Sequence, residues 1–208
     1  MLRERHVIDT FKGLTPLVVT ALMAAAGAWE RPDAWAYLAI HGTYGVFWVL
    51  KSRTFGDRNW ERPLTAWRGG MLVVGLSLYW LSPVMLLLRP DPAGPAWIAG
   101  CVALYAVGVF LHFTADMQKF MAMTLRPGEL WTSGLWARTR SPNYLGELCI
   151  YVAFALLSRH WAPFLVFGSV VAFEWVPNMR RKDASLARYP SFAAWKARTG
   201  LLLPRLGG

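Results

Sequence analysis

The chain has 208 residues, of which 55% are hydrophobic and 16% are charged, and its formal net charge is +10. Soluble domains carry about a quarter charged residues, so this composition argues against a water-soluble globular fold. The basic residues lie between apolar runs rather than along one face. That placement disfavours nucleic-acid binding and favours a membrane surface or an anionic cofactor as the partner of this charge.

Six apolar runs follow one another along the chain and predict transmembrane helices, since about 20 largely apolar residues cross the core of a bilayer. The predicted spans are approximately residues 13–29, 34–50, 67–88, 95–113, 143–158 and 161–176. No linker or internal repeat separates them. The whole chain, 1–208, is therefore predicted to be one all-α, polytopic membrane domain.

The lysines and arginines are distributed unevenly between the loops. Nineteen of the 22 fall in the N-terminus, in loops 51–68 and 114–140, and in the C-terminal tail. The other three loops hold one each, namely Arg31, Arg89 and Arg159. Cytoplasmic loops carry the excess of basic residues, so both termini are predicted to be cytoplasmic, at the inner membrane if the source is bacterial.

The second predicted span carries polar and aromatic residues on one face. His41, Tyr44, Trp48 and Lys51 stand at i, i+3, i+7 and i+10, which places them on one side of a helix. A lone histidine or tyrosine inside a membrane is more often a packing residue than a catalyst. Four such residues on one face make His41 and Tyr44 candidate catalytic residues.

The segment from 114 to 147 holds most of the candidate site chemistry. Pro142 suits the first turn of the fifth span, with Ser141 as its N-cap, and Asn143 and Glu147 share one helix face. An ionisable residue costs about 2.5–3.5 kcal/mol at the centre of a membrane helix and normally faces a partner or a water-filled cavity. Glu147 is thus predicted either to form a structural ion pair or to serve a functional site.

The tail after residue 177 alternates basic and apolar residues. Leu186, Tyr189, Phe192 and Trp195 recur at spacings near three, with lysine and arginine between them. This pattern predicts short amphipathic helices lying against the cytoplasmic interface, and the simplest interpretation of them is a membrane anchor.

Two segments resemble the C-terminal signature of the steroid 5-alpha-reductase and sterol-reductase membrane family. The main one is Gly134-Leu-Trp-x-x-x-Arg140-x-Pro-Asn-Tyr-x-Gly-Glu147, and Asp116-x-Gln-Lys119 is similar to the segment that precedes it in those reductases. The resemblance covers about 113–204. It extends less specifically to His41-Gly-Thr-Tyr-Gly, which is similar to a motif in uncharacterised bacterial relatives.

The resemblance implies NADPH bound at the cytoplasmic end of the last spans, with residues 113–208 as the cofactor-binding half and residues 1–112 on the substrate side. The matching positions that it assigns to the cofactor are Asp116, Lys119, Arg140, Asn143, Tyr144 and Glu147, with Arg180 and Arg188 added from the tail. Guanidinium groups suit the phosphates of such a cofactor. The chain has no Gly-x-Gly-x-x-Gly, so a Rossmann site has no support.

The implied activity is reduction of a carbon–carbon double bond in a steroid-like or other hydrophobic enone lipid. Tyr44 or His41 would hydrogen-bond the carbonyl and so stabilise the charge that develops on its oxygen. The expected partners are the membrane and this lipid; neither a metal nor an obligate protein partner is expected.

Methyltransferases that use S-adenosylmethionine share part of the same motif. The isoprenylcysteine carboxyl and phospholipid methyltransferases carry His where this chain has Ser141, and a Glu-Glu pair where it has Lys182-Asp183. Both departures favour a reductase. A methyltransferase of a lipid or isoprenylcysteine substrate, and a non-enzymatic lipid-binding membrane protein, stay open as alternatives.

Overall fold

The computed structural model describes residues 2–205, except for the side chains of residues 58 and 59. About 77% of the chain is helical, and residues 2–205 contain no β-strand. The predicted all-α class is therefore confirmed.

The helices match the predicted apolar runs closely. They are α1 (Glu4–Ala25), α2 (Pro32–Thr54), α3 (Ala66–Ser77), α4 (Leu81–Leu87), α5 (Pro95–Leu125), α6 (Pro142–Ser158), α7 (Ala162–Val170), α8 (Val176–Leu186) and α9 (Phe192–Arg198). A 3₁₀ turn, Leu78–Trp80, joins α3 to α4, and a π-helical turn, Val171–Trp175, joins α7 to α8. Five of the six predicted spans fall on one helix or on one such joined pair. The first, 13–29, runs past the end of α1 into a 3₁₀ turn, Ala28–Glu30.

Within residues 2–205, four helical segments are long and apolar enough to cross a membrane: Glu4–Ala25, Ala66–Leu87, Pro95–Leu125 and Ala162–Leu186. At 1.5 Å per residue, 22 residues extend about 33 Å, which matches the bilayer core. The remaining two predicted spans coincide with α2, which carries the polar stripe, and with the shorter α6. The count of six spans and the cytoplasmic position of the termini stay predictions.

The chain divides into two compact units. The first consists of Met1–Tyr105 with Val152–Phe164, and the second of Ala106–Tyr151 with Leu165–Gly208. His41 and Tyr44 lie in the first unit. The eight residues assigned to the cofactor all lie in the second.

In the first unit, glycines allow α1 and α2 to pack at close range. A Cβ added at Gly45 would lie 2.1 Å from the carbonyl oxygen of Lys12, and one at Gly42 would lie 3.3 Å from Cβ of Pro16. Small residues of this kind let helix backbones approach one another within a membrane. The His41-Gly-Thr-Tyr-Gly motif therefore marks a helix–helix contact.

The three arginines that depart from the charge asymmetry all belong to ion pairs in the first unit. Arg31 contacts both carboxylate oxygens of Asp33, at 3.1 and 2.9 Å. Asp91 accepts from Arg159 at 2.7 Å and from Arg89 at 3.3 Å. Each of these three arginines therefore has a carboxylate partner within the first unit.

The tail of the second unit folds into a core. Ala115, Trp136, Phe192 and Trp195 form a buried cluster, and Leu186 and Tyr189 pack against it. The Trp195 indole donates to the carbonyl oxygen of Trp136 at 2.9 Å. The predicted helices are present as α8 and α9, but the prediction that their apolar residues lie against the membrane interface is wrong for Phe192 and Trp195. These two bury their rings against the loop before α6 instead.

Candidate functional site

The signature glycine of the motif sets the distance between α5 and α6. A Cβ at Gly146 would lie 2.3 Å from the backbone nitrogen of His112, and one at Gly108 would lie 2.7 Å from the carbonyl oxygen of Gly146. The two backbones therefore touch where α6 carries Asn143 and Glu147. Gly146 acts through packing, and it positions its polar neighbours beside α5.

A second part of the motif fixes the turn Gly134–Ala137 on α5. Gly134 has a positive φ of 63°, and a Cβ there would lie 2.7 Å from the side-chain amide of Gln118. The oxygen of that amide accepts from the backbone N–H of Leu135 at 3.1 Å. Gln118 and Gly134 thus have a shared structural role, which is to hold this turn against α5. Only glycine adopts this backbone conformation so close to the Gln118 side chain without strain.

Arg140 ties the start of α6 to the tail. Its Nε lies 3.1 and 3.0 Å from the two carboxylate oxygens of Asp183, and its Nη1 donates to the carbonyl oxygen of Thr199 at 2.6 Å. The residue is only 6% exposed. Its assignment to a cofactor phosphate stays a prediction, but these contacts give Arg140 a structural part that the motif did not reveal.

Lys182 joins the same region, although sequence reasoning did not place it in the site. Its ammonium donates to Oγ of Ser141 at 3.0 Å and to the carbonyl oxygen of Arg140, and it lies 5.0 Å from the centre of the Trp136 ring. Lys119 and Asp116 are close enough to act on it electrostatically. The sequence did contain a signal for Lys182. Positions 141 and 182 both depart from the methyltransferase pattern, and in the structure these two residues contact each other.

His112 links α5 to the first turn of α6. Its Nε2 lies 3.7 Å from Oδ2 of Asp116, one helical turn later, and its Nδ1 lies 3.2 Å from the carbonyl oxygen of Asn143. Both His112 and Asp116 are buried. The i, i+4 spacing of this histidine and aspartate was the sequence signal that could have found His112.

Three further predicted residues, Asn143, Tyr144 and Glu147, lie half-buried on the first turns of α6. Oδ1 of Asn143 is buried and has no hydrogen-bond partner among the residues that the structure describes. The Tyr144 ring lies 5.0 Å from the ring of Trp175. A buried acceptor without a donor costs about 1–3 kcal/mol, so the Asn143 amide is a position where a ligand donor would be stabilising.

The two tail arginines differ in their surroundings. Arg180 is exposed, and no hydrogen bond or ion pair holds its guanidinium within residues 2–205. Arg188 is also exposed, but it donates to Ser185 at 3.1 Å and lies over the Tyr189 ring at 4.9 Å. Arg180 is therefore the more available of the two for a phosphate.

In the first unit, the four residues predicted to share one face of α2 are all buried. His41 and Tyr44 are fully buried, and Trp48 and Lys51 are nearly so. The imidazole of His41 lies 4.2 Å from the rings of both Tyr79 and Phe154. Neither ring nitrogen of His41 has a hydrogen-bond partner among the described residues.

These features define a helical integral membrane protein whose second unit holds buried and half-buried basic, acidic and amide groups. The chain belongs to the family described as "Protein of unknown function (DUF1295)", which matches residues 2–176. No curated protein matches the chain by sequence. The family match contains every predicted site residue up to Glu147, whereas Arg180, Lys182 and Arg188 follow its end.

Proposed function

We propose that the chain is an NADPH-dependent membrane reductase of a carbon–carbon double bond conjugated to a carbonyl, in a steroid-like or other hydrophobic lipid. The support is the resemblance of its motifs to the steroid 5-alpha-reductase group, together with the charge of the cluster in the second unit. NADPH supplies a hydride for the β-carbon of such a substrate when it is bound.

The contact between Lys182 and Ser141 carries this proposal. At these positions the methyltransferases have a glutamate and a histidine, so this chain replaces a negative charge with a positive one. S-adenosylmethionine carries a cationic sulfonium, whereas NADPH carries a pyrophosphate and a 2′-phosphate. A half-buried lysine close to Lys119 therefore favours the anionic dinucleotide, because the field in such a site selects ligands of opposite charge.

The residues present fit a dinucleotide. Lys119, Lys182 and Arg180 supply cations for its phosphates. Asn143 offers an unsatisfied buried amide oxygen to a ribose hydroxyl or to the nicotinamide carboxamide. Glu147 on the same face supplies a second acceptor, and Tyr144 supplies an aromatic wall.

His41 and Tyr44 are the proposed donors to the substrate carbonyl. A donor to this oxygen stabilises the negative charge that it gains as the β-carbon accepts hydride. The α-carbon then takes a proton from a tyrosine or from water, which restores the carbonyl. The two buried nitrogens of His41 support a polar ligand at this position, since each lacks a partner in the described chain.

Ligand-dependent melting of the detergent-purified protein tests the proposal. NADPH at 100 times its dissociation constant should add about 2.7 kcal/mol to stability, and S-adenosylmethionine should add nothing. Asn143→Ala should weaken the NADPH response, whereas Asn178→Ala, a matched change at a residue that contacts Arg181, should retain it. The reverse ligand preference would indicate a methyltransferase, and no response to either ligand would indicate a lipid-binding protein.

A further inference from the structure

A lysine of α1 lies inside the aromatic cluster of the first unit. Lys12 is 2% exposed. Its ammonium lies 4.0 Å from the ring centre of Tyr79, 4.6 Å from that of Tyr44 and 4.9 Å from that of Trp48. Tyr79 also contacts His41, so the buried cation belongs to the same cluster as the proposed carbonyl donors.

The fold brings Lys12 to this position through two features of the sequence. The buried positions of α1 include Ile8, Lys12, Thr15 and Val19, which recur at helical spacing, so a lysine occupies the apolar stripe of this helix. Gly45 lets the backbone of α2 approach the backbone of Lys12 directly. This close approach places Tyr44 and Trp48 of α2 beside the side chain of Lys12.

A lysine at this position carries its charge into the interior of the first unit. Removing an ammonium from water is costly, and an apolar side chain of similar volume would fill the stripe without that cost. Aromatic faces offset part of the cost through their quadrupoles. They also hold the charge in a medium of low polarity, where it acts strongly on any negative charge brought near it.

We infer that Lys12 stabilises the negative charge that develops on the carbonyl oxygen of the substrate, and that the first unit therefore selects ligands bearing an oxyanion or a polarised carbonyl on an apolar frame. The inference rests on the proposed function. In that reaction the hydride brings an electron pair to the β-carbon, and the electrons of the double bond shift to make an enolate oxygen. A proton then adds at the α-carbon and the carbonyl re-forms, while Lys12 keeps its own proton throughout.

2-Naphthol is a suitable probe, because it is flat and apolar and its ionised and neutral forms absorb differently. The protein in lipid nanodiscs is mixed with 2-naphthol at one mildly alkaline pH, and the ratio of naphtholate to naphthol is measured by absorption against empty nanodiscs. A fixed cation close to the oxygen should raise this ratio at least about tenfold in the wild type.

Three variants separate charge from packing. Lys12→Met should lower the ratio about tenfold or more, and Lys12→Arg should largely keep it, because the charge stays. Lys51→Met is the matched control, since Lys51 is also a buried lysine and lies over the Trp48 ring at 4.5 Å. It should change the ratio less than threefold. If Lys12→Met does not fold, the wild type and Lys12→Arg still test the inference through the excess of naphtholate over empty nanodiscs.

A wild type that shows no excess of naphtholate, or an equal loss in Lys12→Met and Lys51→Met, would overturn the inference. The probe requires neither cofactor nor turnover, so this result is independent of NADPH binding. Failure of NADPH to stabilise the same preparations would instead refute the proposed function, whatever the naphtholate ratio.

Discussion

Arg140→Gln should lower the free energy of unfolding by about 3–5 kcal/mol. The side chains of Arg140 and Asp183 are 8% and 13% exposed, so the substitution leaves a nearly buried carboxylate without its partner. It also removes the hydrogen bond to the carbonyl oxygen of Thr199, which anchors the end of α9. The expected loss is therefore that of a broken buried ion pair rather than that of a surface charge.

Denaturant unfolding in mixed micelles, followed by tryptophan fluorescence, measures this loss. Asp183→Asn should cost a similar amount, and the double variant should cost clearly less than the sum of the two, because the residues form one pair. Arg188→Gln is the control; its exposed guanidinium should contribute no more than about 0.5 kcal/mol. Arg140→Gln could instead be no more destabilising than Arg188→Gln and yet abolish NADPH binding. Arg140 would then be a cofactor ligand, and its contacts with Asp183 and Thr199 would not stabilise the fold.

Two further predictions concern packing and pH. Gly146→Ala should lower the melting temperature much more than Gly100→Ala. A Cβ at Gly146 would lie 2.3 Å from the α5 backbone, whereas one at Gly100 would lie in open space. Equal effects of the two substitutions would contradict the close packing of α5 and α6. Asp91 has a pKa below its ordinary 3.8, chiefly because Arg159 donates a hydrogen bond to it. Its contribution to stability should therefore be complete above about pH 5 and be lost as the pH falls through its lowered pKa. Asp91→Asn should flatten that acid dependence in melting curves, and an unchanged dependence would contradict it.

The helices were predictable because hydrophobic periodicity and run length are local properties. The face of α2 that carries His41 and Tyr44 was likewise predictable, since a helical period determines which side chains share a side. The same argument placed Asn143 and Glu147 on one face of α6. In each case the information lies within one helix.

The partners of these faces were not predictable, because they depend on residues far apart in the chain. The contact of Ser141 with Lys182 joins positions 41 residues apart, and that of Arg140 with Asp183 joins positions 43 apart. Amphipathic spacing showed that the helix carrying Phe192 has an apolar face. It did not show whether protein or membrane covers that face. In the structure, the apolar residues of the tail pack into the protein core of the second unit.

Some motif residues turned out to serve the fold. Gln118 and Gly134 hold a turn against α5, and Gly146 lets two helices touch. A sequence signature combines such structural requirements with chemical ones, and the residue types alone do not separate them. Three features are not explained by the fold alone: the half-buried amide of Asn143, the lysine ammonium groups of the second unit, and Lys12 in the first unit.

The most direct measurement of the central claim is an equilibrium titration of the purified wild-type protein with reduced dinucleotides, followed by nicotinamide fluorescence. A site that contains the half-buried ammonium of Lys182 should bind NADPH more tightly than NADH, because the 2′-phosphate adds negative charge, and S-adenosylmethionine should not displace either. Tighter binding of S-adenosylmethionine, or no saturable binding of NADPH, would contradict the account.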